Sequence, residues 1–196
     1  DTFFVYIKAF NTWLITEVLQ PMRALYLRMP AVATLVLAVG AGYLIGGIRS
    51  ALVVAALTLF IALSPWWDRA LVTLYMATFG VVASCLIGFT VGTLCFQNKK
   101  SAAFMLGVCD IFQTFPSFVY LIPVMMLFGI TDTSVLIAVI VYATIPATRY
   151  TIEGLRSVPV GLHEAATMSG VNKFQRLTKI EFPLAFPHMM LGINQT

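Results

Sequence analysis

Long uncharged stretches constrain this chain more than any other feature. A helix that crosses a bilayer needs about 20 mostly apolar residues, and stretches of nearly that length follow one another along the sequence. We predict about five complete spans and the start of a sixth near Leu184; the five cover residues 31–48, 51–67, 70–96, 104–130 and 134–148. The predicted fold class is therefore an all-α membrane protein.

The composition excludes other classes of protein. The chain is 60% hydrophobic and 10% charged, whereas soluble domains carry about 25% charged residues. The net charge of +4 comes without a long basic run, so we expect no nucleic-acid partner. The basic residues between 149 and 179 instead place that segment in the cytoplasm. The three cysteines have no metal-site spacing, which predicts free thiols and no metal.

The first thirty residues form a segment of their own. Ile7, Phe10 and Leu14 recur at helical spacing, whereas Lys8 and Glu17 lie elsewhere on the helix. This pattern predicts an amphipathic helix, either lying in the membrane interface or packed on the helix bundle. We expect Pro21 to end it. Residues 31–196 form the transmembrane domain.

A polar segment over residues 149–183 separates the fifth and sixth spans. It predicts two short helices, the first beginning near Pro159. Gly170 suits a left-handed turn between them, and Asn172 suits the cap of the second helix. Pro183 is expected to end that second helix. The exposed apolar side chains of such a pair need a partner, for which a groove on another subunit is one solution.

This segment resembles the EAA loop of binding-protein-dependent ABC importers. The resemblance rests on six positions, with Phe182 standing where leucine is usual; the six are Glu164, Ala165, Ala166, Gly170, Ile180 and Pro183. Residues 113–123, Gln-Thr-Phe-Pro-Ser-Phe-Val-Tyr-Leu-Ile-Pro, resemble the permeases for glycine betaine, proline, choline and related osmolytes. The similarity covers about residues 66–196. Because the family's last spans are missing from this sequence, we expect it to be a fragment.

The resemblance implies a fold and a mechanism. The fold is the type I ABC importer transmembrane domain in a bacterial inner membrane, with two permease copies forming the pore. The six EAA positions would couple the spans to a cytoplasmic ATPase subunit, which holds ATP and magnesium, and a binding protein would deliver the osmolyte. The chain has no phosphate-binding G-x-x-x-x-G-K-[ST] loop. We therefore expect no catalytic residue and no cofactor in this chain.

A second group of candidates lies in the predicted fourth span and concerns a translocation pathway. Asp110 is an ionisable group inside a span, although it lies close enough to the interface to reach water there. Pro116 and Pro123 are expected to break this span. Prolines free backbone carbonyls, and aromatic rings offer π-faces to a quaternary ammonium ion, yet prolines are also common as kinks and aromatic rings as packing residues. The candidates are Asp110, Gln113, Phe115, Pro116, Phe118, Tyr120 and Pro123.

Several functions are compatible with these observations. The first is import of a betaine-like osmolyte such as glycine betaine, proline or choline. The second is import of another small solute, such as trimethylamine N-oxide, carnitine or an amino acid. A secondary transporter would use proline-broken spans equally well, but it leaves the amphipathic loop unexplained. A purely structural scaffold is disfavoured by the EAA spacing.

Overall fold

The computed structural model describes residues 2–196, apart from the side chains of residues 2, 3, 163 and 167. Helices make up nearly all of this part of the chain, and it contains no strand. Contacts divide the protein into two compact units, Asp1–Thr78 and Phe79–Thr196. The boundary falls within one long helix, and the all-α fold class is confirmed.

The first unit begins with a nearly continuous helical run. Its elements are α1 (Thr2–Trp13), a π-helical segment (Leu14–Leu19), α2 (Gln20–Leu27), α3 (Ala31–Ala62) and the start of α4 (Trp67–Phe96). The prediction that Pro21 ends the first helix is wrong, because Pro21 lies in the first turn of α2. The preceding π turn explains this: the Gln20 N–H reaches back five residues to the Ile15 carbonyl. Proline is tolerated in a first turn, where no N–H is needed.

Helix α3 is a hairpin of two arms. Its backbone leaves helical geometry at Gly46 (φ −135°) and Gly47 (φ 67°). A Cβ placed on Gly42 would lie 3.0 Å from Val54 Cγ2 and 3.5 Å from Ala51 Cα, so the chain reverses and the arms pack together. The arms correspond to the predicted spans 31–48 and 51–67, but each is shorter than the ~20 residues of a perpendicular span.

The N-terminal stripe is partly buried within the first unit. Ile7 and Leu14 are half-buried and Leu19 is buried, whereas Tyr6 and Trp13 are exposed. Phe10 of the same stripe is 48% exposed, and the aromatic side chains beside it are exposed as well, so the stripe is buried only in part, and both alternatives, an interfacial helix and a helix packed on the bundle, stay predictions. Aromatic rings at such positions are typical of a membrane interface.

The second unit contains a bent helix pair. Its elements are the end of α4, α5 (Lys99–Thr114), α6 (Phe118–Phe128), α7 (Asp132–Arg156), α8 (Val160–Met168), α9 (Lys173–Arg176), a second π-helical segment (Leu177–Glu181) and α10 (Phe182–Gln195). The axes of α5 and α6 differ by 88°. The predicted break at Pro116 is confirmed, because Phe115 before it is extended (φ −82°, ψ 138°), as a residue preceding proline prefers. The predicted break at Pro123 is wrong, since Pro123 lies inside α6 and one lost hydrogen bond does not end that helix.

Three helices of the described chain combine the length and the hydropathy expected of a membrane span. By length and composition alone α3, α4 and α7 would each suffice to cross a membrane, and the bent pair α5–α6 would make a fourth. The reversal at Gly46 and Gly47 divides the 32 residues of α3 between two arms, so α3 is not one straight span. α7 has 25 residues and ends at Arg156, so the predicted fifth span is too short and the polar loop starts later than residue 149. The helix continues beyond residue 149 because it has two distinct faces there. Ile152 and Leu155 are fully buried on one face, and Arg149 and Glu153 form an ion pair on another.

Small residues on α4 bring it into close contact with α7. A Cβ on Gly88 would lie 2.5 Å from Ala147 Cβ and 2.9 Å from Thr148 N, and one on Gly92 would lie 2.6 Å from Thr151 Cβ. One turn earlier, the Ser84 hydroxyl donates to the Gly80 carbonyl of its own helix at 2.6 Å, and its Oγ also lies 3.3 Å from the Ile140 carbonyl oxygen of α7. Small residues that let helix backbones approach are the usual contact between membrane helices.

Helix α7 also packs closely against α10. A Cβ on Gly154 would lie 3.1 Å from the Ala185 carbonyl oxygen. Leu155, Ala185 and Met189 form a buried cluster on which Phe89, Phe96, Leu177 and Phe182 pack. Helix α7 is therefore the central element of the second unit, with α4 and α10 packed against it.

We predict that Gly88→Ala destabilises the protein whereas Gly107→Ala does not. The first adds a methyl group against the α7 backbone, and overpacking of this kind costs about 1–3 kcal/mol. Gly107 lies on α5, where an added methyl group would meet nothing within 4 Å, so alanine there is neutral or stabilising by up to ~1 kcal/mol. Thermal unfolding of the purified protein in detergent compares the two variants. Equal unfolding temperatures would contradict the close α4–α7 contact.

Candidate coupling loop and membrane pathway

The turn after α8 has the geometry that the sequence predicts. Gly170 has φ 72°, a left-handed conformation that costs other residues more than glycine. The Val171 N–H donates to the Ala166 carbonyl at 3.1 Å, which is the long hydrogen bond of a Schellman motif. The prediction of a glycine-centred turn between two helices is confirmed.

The second helix of the loop also begins as predicted. The Asn172 side chain accepts from the Gln175 N–H at 2.8 Å, and the Gln175 side chain accepts from the Asn172 N–H at 3.1 Å. This is a reciprocal capping box. The expectation that Pro183 ends the helix is wrong, because α9, the π segment and α10 are continuous across it. The Phe182 N–H bonds to Leu177, five residues back, and the π turn again places a proline in the first turn of the next helix.

Four of the six EAA positions meet at one groove. Ala165, Ala166, Ile180 and Pro183 line a cavity of about 520 Å³ between α8 and the start of α10. Ala166 is buried there, so its methyl group is part of the contact that holds the two helices together. Glu164 does not line the groove and is exposed on α8. Gly170 contributes the turn alone.

The apolar side chains of the loop are not on one face. Leu177 packs towards the buried cluster of the bundle, Ile180 lines the groove, and Phe174 is largely exposed. The wider π turn separates Leu177 from Ile180, which an α-helical stripe would have placed together. On α8, Met168 is 92% exposed and Leu162 is also exposed.

Glu181 is a buried charge that the sequence analysis missed. Its side chain is 2% exposed, and its Oε1 accepts from Arg176 Nε at 2.9 Å. Breaking a buried pair by removing one partner is strongly destabilising. In an α-helix, side chains that pair are three or four residues apart, whereas Arg176 and Glu181 are five apart. The wider π turn brings these two side chains together.

Two of the pathway candidates are joined to Arg149, which the sequence analysis did not single out. Its Nη1 donates to Asp110 Oδ1 at 2.5 Å and to Gln113 Oε1 at 2.9 Å, and its Nε donates to Glu153 at 3.0 Å. One guanidinium therefore links α5 to α7. The sequence could have indicated this contact, because an ionisable residue inside a span, here Asp110, needs a charged partner.

The remaining candidates gather around the bend between α5 and α6. Tyr120 is buried, its hydroxyl donates to the Phe112 carbonyl, and its ring stacks on Phe112 at 5.6 Å. Tyr120 thus closes the bend and does not present a free π-face. Phe118 lines a cavity of about 510 Å³ together with Tyr142, which lies 6.2 Å from the Tyr120 ring. Phe115, Pro116 and Pro123 are exposed.

Comparison with known proteins identifies the family. Residues 80–194, which include the bent pair, α7 and the loop, match the family described as binding-protein-dependent transport system inner membrane component. The chain belongs to this family. The resemblance inferred from the EAA positions is thereby confirmed, and the inner-membrane component is a multi-pass protein of the bacterial inner membrane.

Individual relatives of this chain match it over most or all of its length. It is 86% identical over 196 residues to the trimethylamine N-oxide transport system permease protein TmoV of Pelagibacter ubique. It is 43% identical over 94% of its length to the TmoV of Ruegeria pomeroyi. It is 32% identical over 91% of its length to the glycine betaine/proline betaine transport system permease protein ProW of Escherichia coli, of which it covers 51%. The chain spans 27% and 28% of the two TmoV proteins.

The structure predicts that Gly170→Ala loosens the loop whereas Gly161→Ala does not. A left-handed conformation costs a residue with a Cβ about 1–2 kcal/mol, and Gly170 is in that region. Gly161 lies on α8 with no positive φ and open space around it. Hydrogen exchange of residues 160–183 should be faster in the first variant only. Identical exchange in both would contradict the Schellman turn.

A double-mutant cycle measures the link between α5 and α7. We expect Asp110→Asn and Arg149→Met to show a coupling energy of about 0.2–1 kcal/mol, because their side chains are 60% and 31% exposed and solvent weakens the pair. The matched cycle pairs Asp110→Asn with Arg156→Met, since Arg156 binds the Lys99 carbonyl instead. Unfolding free energies in detergent supply the four corners of each cycle. Zero coupling in the first cycle would contradict the ion pair.

Proposed function

We propose that this chain is part of the translocation subunit of an ATP-driven importer for trimethylamine N-oxide. The observation that carries the proposal is the 86% identity along the whole chain to a permease protein named for trimethylamine N-oxide transport. The second TmoV protein, at 43%, is also more similar than the betaine permease at 32%. The alternative small solute considered from the sequence is therefore better supported than glycine betaine, proline or choline.

The exposed surface of α8 supports coupling to a separate ATPase. Glu164 and Met168 lie four residues apart and are both exposed, so they share one accessible face of the helix. Ala166 faces the opposite way and is buried in the groove. This division supports a docking role for the outer face, since a helix that docks in a groove presents residues at three- and four-residue spacing.

The proposal assigns the remaining parts of the transporter to other chains. ATP and magnesium belong to the partner ATPase, and a binding protein delivers the solute. A second permease copy would complete the pore. The division of labour is supported by the lack of a phosphate-binding loop in the sequence, and by the description of the family as the inner-membrane component of binding-protein-dependent systems.

Glycine betaine import is the second candidate. It is favoured by the 32% identity to ProW over most of the chain. Trimethylamine N-oxide and glycine betaine share a trimethylated nitrogen, so one pathway would accept the methyl groups of both. The two solutes differ in their hydrogen-bond acceptor. In trimethylamine N-oxide it is an oxygen bonded to the nitrogen, whereas in glycine betaine it is a carboxylate farther from the nitrogen.

A charge reversal at Glu164 tests the coupling assignment. In the full-length permease assembled with its ATPase and binding protein, we expect Glu164→Lys to reduce uptake of trimethylamine N-oxide at least ~tenfold, because it reverses the charge of the docking face. Assembly and expression should be unchanged, since the side chain is exposed. Glu17→Lys, an exposed glutamate in the first unit, is the control. Normal uptake by assembled Glu164→Lys protein would refute the coupling role.

The same assay tests the substrate. Wild-type vesicles should accumulate trimethylamine N-oxide in an ATP-dependent manner, and excess glycine betaine should compete weakly. Uptake of glycine betaine in preference to trimethylamine N-oxide would favour the second candidate and overturn the first.

A further inference from the structure

A small polar cavity lies where α5, α7 and α10 meet. It has a volume of about 220 Å³ and is lined by Gln113, Tyr142, Pro146 and Gln195. Only Gln113 was among the pathway candidates from the sequence. Cavities for drug-sized ligands measure ~300–1,000 Å³, so this one suits a solute of only a few non-hydrogen atoms.

The donors of this cavity are neutral, and one of them is oriented. Gln113 Oε1 accepts from Arg149 at 2.9 Å, which leaves the amide N–H groups of Gln113 to donate elsewhere. The Tyr142 hydroxyl and the Gln195 amide add two further groups that can donate. Three residues with donor groups, one from each of three helices, therefore line one small space.

The rest of the lining is apolar. The Pro146 ring and the Tyr142 ring offer carbon surface, and an aromatic face attracts a methylated nitrogen that carries positive charge. The Tyr142 ring is held by its contact with Tyr120 at 6.2 Å. The cavity thus combines a surface for methyl groups with donors for a single acceptor.

We propose that this cavity is a transit site for a methylated amine N-oxide; the proposal rests on the proposed function and adds the site of that function. The N-oxide oxygen accepts hydrogen bonds from Gln113, Tyr142 and Gln195, and the methyl groups lie against Tyr142 and Pro146.

None of the four lining residues is charged. Gln113, Tyr142 and Gln195 are exposed and Pro146 is buried, so the cavity is open on one side. A carboxylate bound there would find no uncommitted cation among its neighbours, because the Arg149 guanidinium is already bonded to Asp110 and Glu153. The N-oxide and glycine betaine are both neutral overall, but the N-oxide oxygen is bonded directly to the cationic nitrogen, whereas the betaine carboxylate is separated from it by a methylene group and lacks that internal compensation. The cavity therefore selects the N-oxide over a carboxylate-bearing betaine after either has left the binding protein.

Position on α7 supports the assignment. Tyr142, Pro146, Arg149 and Glu153 are spaced by four, three and four residues, which places them along one face of the helix. Arg149, which orients Gln113, therefore lies on the same stripe of α7 as Tyr142 and Pro146, which line the cavity. Arg149 acts here as a positioning residue.

Uptake by two conservative variants of the full-length transporter tests the site. We expect Tyr142→Phe and Gln195→Met each to lower the maximal rate of trimethylamine N-oxide uptake about threefold to tenfold, as loss of one hydrogen bond predicts. Affinity of the binding protein for the solute should not change. Tyr43→Phe and Gln20→Met, exposed residues of the first unit, are the matched controls and should transport normally. Unchanged maximal rates in both site variants would overturn the proposal.

Thiol protection locates the solute directly and does not depend on the rate. With Cys85, Cys95 and Cys109 replaced by serine or alanine, Gln195→Cys protein should react with a small methanethiosulfonate at least ~threefold more slowly in the presence of trimethylamine N-oxide. Gln20→Cys should react at the same rate with and without the solute. Equal concentrations of sucrose should protect neither.

The outcomes separate the site from the function. If wild-type protein takes up trimethylamine N-oxide but shows neither protection nor a rate effect, the site is wrong and the proposed function stands. If wild-type protein does not take up trimethylamine N-oxide, both are overturned. If glycine betaine protects Gln195→Cys as well as the N-oxide does, the claimed selection by neutral donors is wrong.

Discussion

The close packing of α4 on α7 is the contact on which the second unit depends. Lipid tails are as apolar as leucine, so helices in a bilayer associate through van der Waals contact and hydrogen bonds rather than through hydrophobic burial. Gly88 and Gly92 allow that contact on one side of α7, and Gly154 allows the approach of α10 on another. The same helix fixes α5, because Cys109 Sγ lies 3.8 Å from the Ile145 carbonyl. Larger side chains at these glycines would push α7 away from its neighbours, and the groove and cavity would move with it.

Much of the fold was predictable because hydropathy and turn chemistry are local properties. Residues 70–96 lack charges and form most of α4, and Gly170 and Asn172 form the turn and cap expected of them. Two of the three errors at proline, those at Pro21 and Pro183, share one cause. Pro21 and Pro183 each follow a π-helical segment, and each lies in the first turn of the next helix. Sequence rules treat proline as an end of an α-helix, and no local rule announces that the preceding turn is widened.

The candidate site was predictable in part, and the parts missed are those that depend on tertiary contact. The spacing of the EAA positions indicated the loop, but it did not show that Ala166 faces inwards and Glu164 outwards. Arg149 was counted among the basic residues of a loop, because the predicted fifth span ended one residue before it. The sequence analysis did not single out Glu181, which stands between two apolar residues. Its burial depends on the ion pair with Arg176, a contact that the sequence alone does not show. Phe112 and Tyr142, which hold Tyr120 in place, lie 8 and 22 residues from it in sequence.

The position of α7 also links the two proposed sites physically. α7 ends at Arg156 and α8 begins at Val160, so only a short connection separates the proposed docking helix from the central helix. Arg149 lies seven residues before the end of α7, about 10 Å along its axis. A displacement of α8 that moves α7 must therefore either carry α5 along through Asp110 and Gln113 or break those hydrogen bonds. If the hydrogen bonds break, the Gln113 amide moves relative to the rest of the cavity. If α5 is carried along, the cavity moves with α7. Coupling between the loop and the proposed transit site then requires no long chain of contacts, because α7 carries Tyr142 and Pro146 of the cavity and ends only a short connection before the docking helix α8.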